Sequence, residues 1–128
     1  SRVDLLGEEK ATNGAGSRPV FIEVKNVHLM REPGLAEFPD CVTARGAKHL
    51  AELADQVDTG ARAVMLYIVQ RGDCDRVAFA ADLDPAYAAA FALARERGVE
   101  AHAVRCDINL SDIRPTTILP IVDSARQP

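Results

Sequence analysis

A carboxylate and an ammonium group two residues apart suggest chemistry near the start of the sequence. Glu23 and Lys25 lie in the apolar run VFIEVKNV, which spans residues 20–27. Side chains alternate along a strand, so both of these charged groups point to the same face. The preceding apolar run contributes Asp4, which lies beside Glu23 if the two runs pair as an antiparallel hairpin. The pattern therefore predicts that two carboxylates and one lysine converge.

Such a set suits a divalent cation and a phosphodiester. Mg²⁺ typically binds one or two carboxylates and completes its coordination with water or phosphate oxygens. The ion activates a water, while a nearby lysine orients that water or offsets charge on the phosphate. We therefore predict Asp4 and Glu23 as ligands of Mg²⁺, with Mn²⁺ as a substitute, and Lys25 as the third catalytic residue. The competing interpretation is an exposed Glu–Lys pair, which stabilises a strand very little.

Basic and amide side chains elsewhere are predicted to contact nucleic acid. Arg45, Lys48 and His49 lie on one side of the first turns of a predicted helix, whose N-terminus attracts phosphate. Gln70 and Arg71 follow an apolar strand, and ligands of open α/β sheets gather beyond the carboxyl ends of strands. Two alternatives stay open here, namely a solvated helix face for the first group and an ordinary polar strand end for the second.

The elements that must position these residues alternate between strands and helices. We predict strands over residues 3–6, 20–27, 63–69 and 99–106, helices over 43–60 and 84–98, and loops over 7–19 and 30–40. Helical crossovers imply parallel neighbours, and the hairpin at the front makes the sheet mixed. The predicted fold is an α/β sandwich of one mixed sheet with flanking helices, whose continuously apolar strand 63–69 is covered on both faces.

Composition bounds the kind of protein. The chain has 128 residues, of which 48% are hydrophobic, enough for one domain with a core of its own. No apolar run approaches the length of a membrane span, and the three cysteines form no CxxC pair, which fits a reducing cytosol. Because the net charge is −4, binding to nucleic acid would depend on a local basic patch, a bound cation or another part of the protein.

Several segments together resemble the sugar fermentation stimulation protein A (SfsA) family. They are SRVDLL, FIEVKNVHL, FPDCVTARGAKHLAEL, VMLYIVQRGD and DPAYAAAFALARERGVE, in order through nearly the whole chain. The part FPDCVTARGAKHL is the most specific. The sequence departs from the family's pattern at Cys41, where alanine is expected, and in the loop 7–19, which is longer than expected.

The resemblance implies a cytoplasmic, prokaryotic protein of two domains. An N-terminal OB-like barrel is joined to a C-terminal domain similar to PD-(D/E)XK nucleases, with a restriction-endonuclease-like core. This chain, residues 1–128, resembles that single C-terminal domain, so we expect it to be a fragment whose N-terminal part is missing. The family's nuclease-like motif then falls on Asp4, Glu23 and Lys25.

Three functions follow from these observations. The resemblance implies a DNA-binding protein that regulates sugar (maltose) metabolism and grips DNA mainly through the barrel. The set of Asp4, Glu23 and Lys25 favours the alternative, an active Mg²⁺-dependent DNA endonuclease. The third interpretation is an α/β domain whose role is assembly, and the oligomeric state stays open. No role at a membrane is expected.

Overall fold

The computed structural model describes residues 5–10, 17–108 and 113–123, with side chains described over 18–106 and 117–123. This part of the chain forms strands β1 (Leu5–Lys10), β2 (Ser17–Val27), β3 (Leu29–Glu32), β4 (Gly34–Phe38), β5 (Arg62–Val69), β6 (Cys74–Phe79), β7 (Glu100–Ile108) and β8 (Ile113–Leu119), and helices α1 (Ala44–Asp58) and α2 (Pro85–Glu96). Neither helix is long and apolar enough to cross a membrane.

Five strands form the main sheet in the order β1-β2-β5-β7-β8. Strands β1 and β2 pair antiparallel, with Leu5 opposite Ile22, as the predicted hairpin requires. Strand β5 then lies parallel to both β2 and β7, while β8 pairs antiparallel with β7. The prediction of a mixed α/β fold is confirmed.

A second sheet was not predicted. It has the order β3-β4-β6, with β3 and β4 antiparallel and β4 and β6 parallel. The predicted loop over 30–40 was therefore wrong, because most of it forms β3 and β4. Only Pro33 lies between these two strands, and Gly34, the first residue of β4, has a φ of 80° that allows the tight turn.

The hydrophobic core lies between the main sheet and both helices. Along β5, the alternate side chains of Met65 and Tyr67 are fully buried in one cluster with Leu53 of α1 and Tyr87 of α2. The intervening side chain of Leu66 lies on the other face and is only half-buried. On that face Val64 is buried and Ile68 is half-buried, so among the described residues it is covered less completely than the face against which both helices pack.

The two helices begin beside each other. The Thr43 hydroxyl accepts a hydrogen bond of 3.0 Å from the Gly46 amide and caps α1, as the sequence allowed. Asp84 caps α2 by accepting a 3.0 Å bond from the Tyr87 amide, and its other oxygen accepts a 2.7 Å bond from the Thr43 amide. A Cβ at position 46 would lie 3.0 Å from the Tyr87 ring, so glycine there lets the helix starts approach closely.

Candidate functional site

Glu23 and Lys25 lie on β2 and face α1. They pair in register with Met65 and Tyr67 of β5, so they share the core side of the main sheet. The Glu23 side chain is buried, with the residue only 3% exposed, and its Oε1 lies 3.6 Å from the Lys25 ammonium. The two charged residues therefore do lie on one face. The pair is not the exposed surface pair of the competing interpretation, because its carboxylate is buried.

His49 of α1 is the third side chain at this carboxylate. Its Nδ1 lies 3.1 Å from Glu23 Oε1, and the residue is 7% exposed. Nδ1 nevertheless makes no hydrogen bond, so the contact is a close approach without hydrogen-bond geometry. From its spacing alone, His49 was predicted to lie with the basic residues of the first turns of the helix. Its position three residues after Gly46 and four before Leu53, both buried, is the signal that indicates the inner face of the helix.

Two clefts meet at Glu23 and His49, and both residues line both clefts. The larger cleft has a volume of about 420 Å³ and also includes Lys25 and Arg45. The smaller cleft, of about 250 Å³, continues along α1 past Glu52. The buried carboxylate is therefore reached from two directions. This junction is the candidate site.

A larger groove lies elsewhere in the molecule. It has a volume of about 750 Å³ and runs between α2 and the end of the main sheet, where Phe91 and Ile118 contribute to its walls. None of the predicted site residues that the structure describes lines this groove. Its walls are mainly apolar, so we assign the chemistry to the smaller clefts, where a carboxylate, an ammonium and an imidazole converge.

Two tyrosines close to Glu23 stay neutral. The hydroxyl groups of Tyr67 and Tyr87 lie 2.6 Å apart in the core. Burial raises the pKa of Tyr67 well above its ordinary value of 10 and also raises the pKa of Tyr87, to which the negative charge of Glu23 adds. Both phenols therefore stay protonated and add no negative charge to that of Glu23.

The predicted nucleic-acid residues separate into two places. Arg45 is exposed and lines the larger cleft, while Lys48 is exposed farther along α1 and lines neither cleft. Gln70 is exposed just after β5, and Arg71 donates hydrogen bonds of 3.0 and 2.9 Å to the Asp73 carboxylate. Their roles in binding nucleic acid stay predictions.

The two places lie apart along the sheet. Val69, the last residue of β5, pairs with Val27, which is four residues beyond Glu23 on β2. Four residues of a strand span roughly 13 Å. The structure therefore brings Arg45 to the candidate site and leaves Gln70 and Arg71 beyond the ends of the strands.

A second buried carboxylate, Glu37 on β4, was missed because its strand was predicted to be a loop. It is 2% exposed and accepts hydrogen bonds of 2.9 and 2.8 Å from the Arg31 guanidinium. Arg31 also donates to both oxygens of Asp82, at 2.6 and 2.8 Å. The Asp82 and Glu37 carboxylates raise the pKa of Arg31 above its ordinary value. Glu37 is therefore fully paired and belongs to the packing between strands.

The third member of the predicted motif, Asp4, lies outside the described residues. The described pairing begins at Leu5 opposite Ile22, and Ile22 precedes Glu23. Within the part of the chain that the structure describes, no group of three or more histidine, cysteine, aspartate or glutamate side chains is arranged to hold a metal. Glu23 nevertheless contributes a carboxylate oxygen 3.1 Å from the His49 Nδ1 atom, and that imidazole nitrogen has no hydrogen-bond partner. Both are donors that divalent cations accept, so the chemistry of the site fits a cation.

The family model and the curated relatives that match this chain all point to one protein family. Residues 1–112 match the family model described as the sugar fermentation stimulation protein RE domain. A sugar fermentation stimulation protein homolog from Rhizobium rhizogenes is 54% identical over 121 residues, which is 94% of this chain and 47% of that protein. The homolog from Brucella ovis is 55% identical over 127 residues, which is 98% of this chain and 51% of that protein. The chain thus spans about half the length of these curated relatives.

A solved structure matches the same part of the chain. It is that of Pyrococcus furiosus SfsA in complex with Ca²⁺, with a TM-score of 0.76 and 26% sequence identity. The match covers 95% of this chain and 54% of that one. The architecture described above is therefore also found in an experimental structure.

Proposed function

Because this chain belongs to the sugar fermentation stimulation family, we propose that it is the DNA-acting part of such a protein and hydrolyses phosphodiesters with a divalent cation. One observation carries the proposal. The buried Glu23 carboxylate lies at the junction of two clefts, and its described charged neighbours, Lys25 and His49, make no hydrogen bond to it. Because these charged neighbours do not hydrogen-bond the buried carboxylate, a bound cation would offset part of the free-energy cost of burying its charge.

The identity of the cation follows from the donors. Glu23 and Asp4 would hold it as carboxylate ligands, and Mg²⁺ or Mn²⁺ is the expected ion. The Ca²⁺ bound by the Pyrococcus furiosus protein supports a divalent cation in this fold. When bound, such an ion polarises a phosphodiester and lowers the pKa of a water. We thus propose that the nuclease-like motif consists of Asp4, Glu23 and Lys25.

The chain's own residues have separate tasks. The Lys25 ammonium lines the larger cleft, where it would orient the attacking water and offset charge on the phosphate. Arg45 and the N-terminal turn of α1 would bind the phosphate itself, since a helix N-terminus carries partial positive charge. Lys48, Gln70 and Arg71 would contact phosphates farther along the DNA. A local basic surface of this kind is needed because the net charge is −4.

The experiment is cleavage of plasmid, linear and single-stranded DNA in Mg²⁺ and then in Mn²⁺. Glu23→Gln and Lys25→Met are compared with the parent chain and with Glu96→Gln, a control on the exposed end of α2. We expect the parent and the control to cut DNA and both site variants to lose about a hundredfold or more in rate. Cleavage that persists in Glu23→Gln, or no cleavage by the parent in either metal, would contradict the proposal.

A second candidate is a DNA-binding regulator of sugar (maltose) metabolism that does not cut DNA. The name of the relatives favours it, because stimulation of sugar fermentation describes an effect on metabolism. Since this chain spans about half of those proteins, we expect an OB-like part elsewhere in the protein to carry most of the DNA affinity. A cytoplasmic location fits both candidates.

The regulator is tested by binding and not by cleavage. Fluorescence anisotropy with labelled DNA would give the affinity of this chain and of the longer protein, and its dependence on salt would count the phosphates contacted. Affinity that is largely confined to the longer protein, with DNA left intact in both metals, supports the regulator. Strong binding by this chain alone would contradict it.

A further inference from the structure

We propose that His49 is itself a ligand of the divalent cation, so that the site combines an imidazole nitrogen with the Glu23 carboxylate. This inference rests on the proposed cation site and extends it. The sequence motif assigns only carboxylates and Lys25 to the site. The contribution of α1 comes from the structure.

The separation of the two donor atoms fits a shared ion. Two ligands that each lie about 2.1 Å from a metal and meet it at a right angle are about 3.0 Å apart. Glu23 Oε1 and His49 Nδ1 are 3.1 Å apart. A hydrogen bond of this length would require an N–H directed at the oxygen, and Nδ1 has no partner of that geometry.

The burial of His49 supports the same conclusion. The residue is 7% exposed, and leaving a buried polar atom without a partner costs about 1–3 kcal/mol. An apolar side chain at this position, between Gly46 and Leu53 on the inner face of α1, would avoid that cost. A cation that accepts the Nδ1 lone pair removes the cost, and the larger cleft gives the ion a path to solvent.

The donor set has a consequence for metal preference. Mg²⁺ and Ca²⁺ favour sites made only of oxygen atoms, whereas the transition-metal ions also bind imidazole nitrogen, with an affinity that rises from Mn²⁺ to Co²⁺. A site that includes His49 should therefore bind Mn²⁺ or Co²⁺ more tightly than Mg²⁺ or Ca²⁺. Removal of the imidazole should reduce this preference.

The test is Mn²⁺ binding followed by electron paramagnetic resonance, with pulsed detection of nitrogen coupled to the bound ion. The parent chain is expected to show imidazole nitrogen coupling. In His49→Gln we expect that coupling to vanish and the Mn²⁺ affinity to fall about tenfold or more, while the Mg²⁺ affinity falls less. His102→Gln is the matched control, because His102 is exposed on β7, and it should behave as the parent does.

A second variant makes the result independent of whether His49→Gln folds. The sequence has three histidines, so a His28→Gln, His102→Gln double variant leaves only His49. Nitrogen coupling that persists in this double variant is expected and assigns the ligand to His49. Mn²⁺ bound without nitrogen coupling, yet lost in Glu23→Gln, overturns this inference and leaves the proposed cation site standing. A parent chain that binds no Mn²⁺ overturns both.

Discussion

Glu23 and Glu37 are the same kind of residue in nearly the same degree of burial, yet their surroundings differ completely. They are 3% and 2% exposed, on β2 and β4. Glu37 accepts two hydrogen bonds from one guanidinium, at 2.9 and 2.8 Å. Glu23 has an ammonium at 3.6 Å and an imidazole nitrogen at 3.1 Å, and neither donates a hydrogen bond to it.

The difference separates a structural charge from one that is available to a ligand. The Arg31 guanidinium neutralises the charge of Glu37 through two hydrogen bonds within the folded chain. None of the three clefts and grooves described above includes that carboxylate. Glu23 borders two clefts and keeps coordination capacity for something that enters them. Burial alone would have assigned both residues the same role, whereas the hydrogen-bond partners distinguish them.

The largest expected effect is the loss of stability when Glu37 loses its guanidinium partner. Arg31→Ala leaves Glu37 buried without its partner, which we expect to lower the free energy of unfolding by about 3 kcal/mol. Denaturant unfolding measures the loss. Arg97→Ala is the matched control, since Arg97 also bridges two carboxylates, Asp55 and Asp58, but on the surface, and it should cost about 1 kcal/mol or less. Equal losses in the two variants would refute the distinction.

A smaller effect compares the two carboxylates directly. Glu37→Gln weakens hydrogen bonds to a charged partner and should cost about 1.5–3 kcal/mol. Glu23→Gln removes a charge that has no hydrogen bond from its described charged neighbours, so in metal-free buffer the free energy of unfolding should stay within about 0.5 kcal/mol of the parent or rise. Unfolding by urea, with a chelator present, measures both. If Glu23→Gln proves the more destabilising, Glu23 is structural.

The smallest effect adds a partly exposed carboxylate to the comparison. Hydrogen bonding by Arg62 lowers the pKa of Glu100 below its ordinary value of 4.5. Between the pKa of Glu100 in the folded chain and its ordinary value of about 4.5, the unfolded chain binds more protons than the folded chain. The pair therefore stabilises the fold fully above about pH 4.5, and this contribution is lost as the pH falls through the folded pKa. Because the Glu100 side chain is 34% exposed, the pair should contribute about 1 kcal/mol or less.

The measurement for this pair is the difference in unfolding free energy between the parent and Glu100→Gln. We expect the difference to be largest near neutral pH and to shrink toward about pH 3. Glu96→Gln provides a control without an ion pair among the described contacts. A difference that grows as the pH falls would contradict the sign of the pKa shift.

The parts of the fold that could be predicted have strong local patterns. α1 and α2 have helical periodicity and caps such as Thr43 and Asp84, and β5 is a continuous apolar run. β3, β4 and β6 were missed because they have only four to six residues each, and because β4 and β6 pair with each other although they are distant in sequence. Short strands of this kind leave little periodic signal, and a turn between two of them resembles a loop.

The candidate site was predictable only in part for a similar reason. Alternation along β2 was enough to bring Glu23 and Lys25 to one face. The role of His49 depends on which strand α1 packs against, and this is a tertiary property that local spacing does not contain. Asp4, which completes the predicted motif, lies outside the described residues, so its part stays a prediction.

One carboxylate makes the wall of the larger cleft depend on a distant part of the chain. Asp84 holds the Tyr87 amide with one oxygen and the Thr43 amide with the other, although Thr43 is 41 residues away in sequence. Asp84 thereby links the N-terminal ends of α1 and α2. Thr43, at the start of α1, also lines the larger cleft. A substitution at Asp84 would remove this link and change the shape of the cleft. A genetic screen for loss of function at the Glu23 site should therefore also recover substitutions at Asp84.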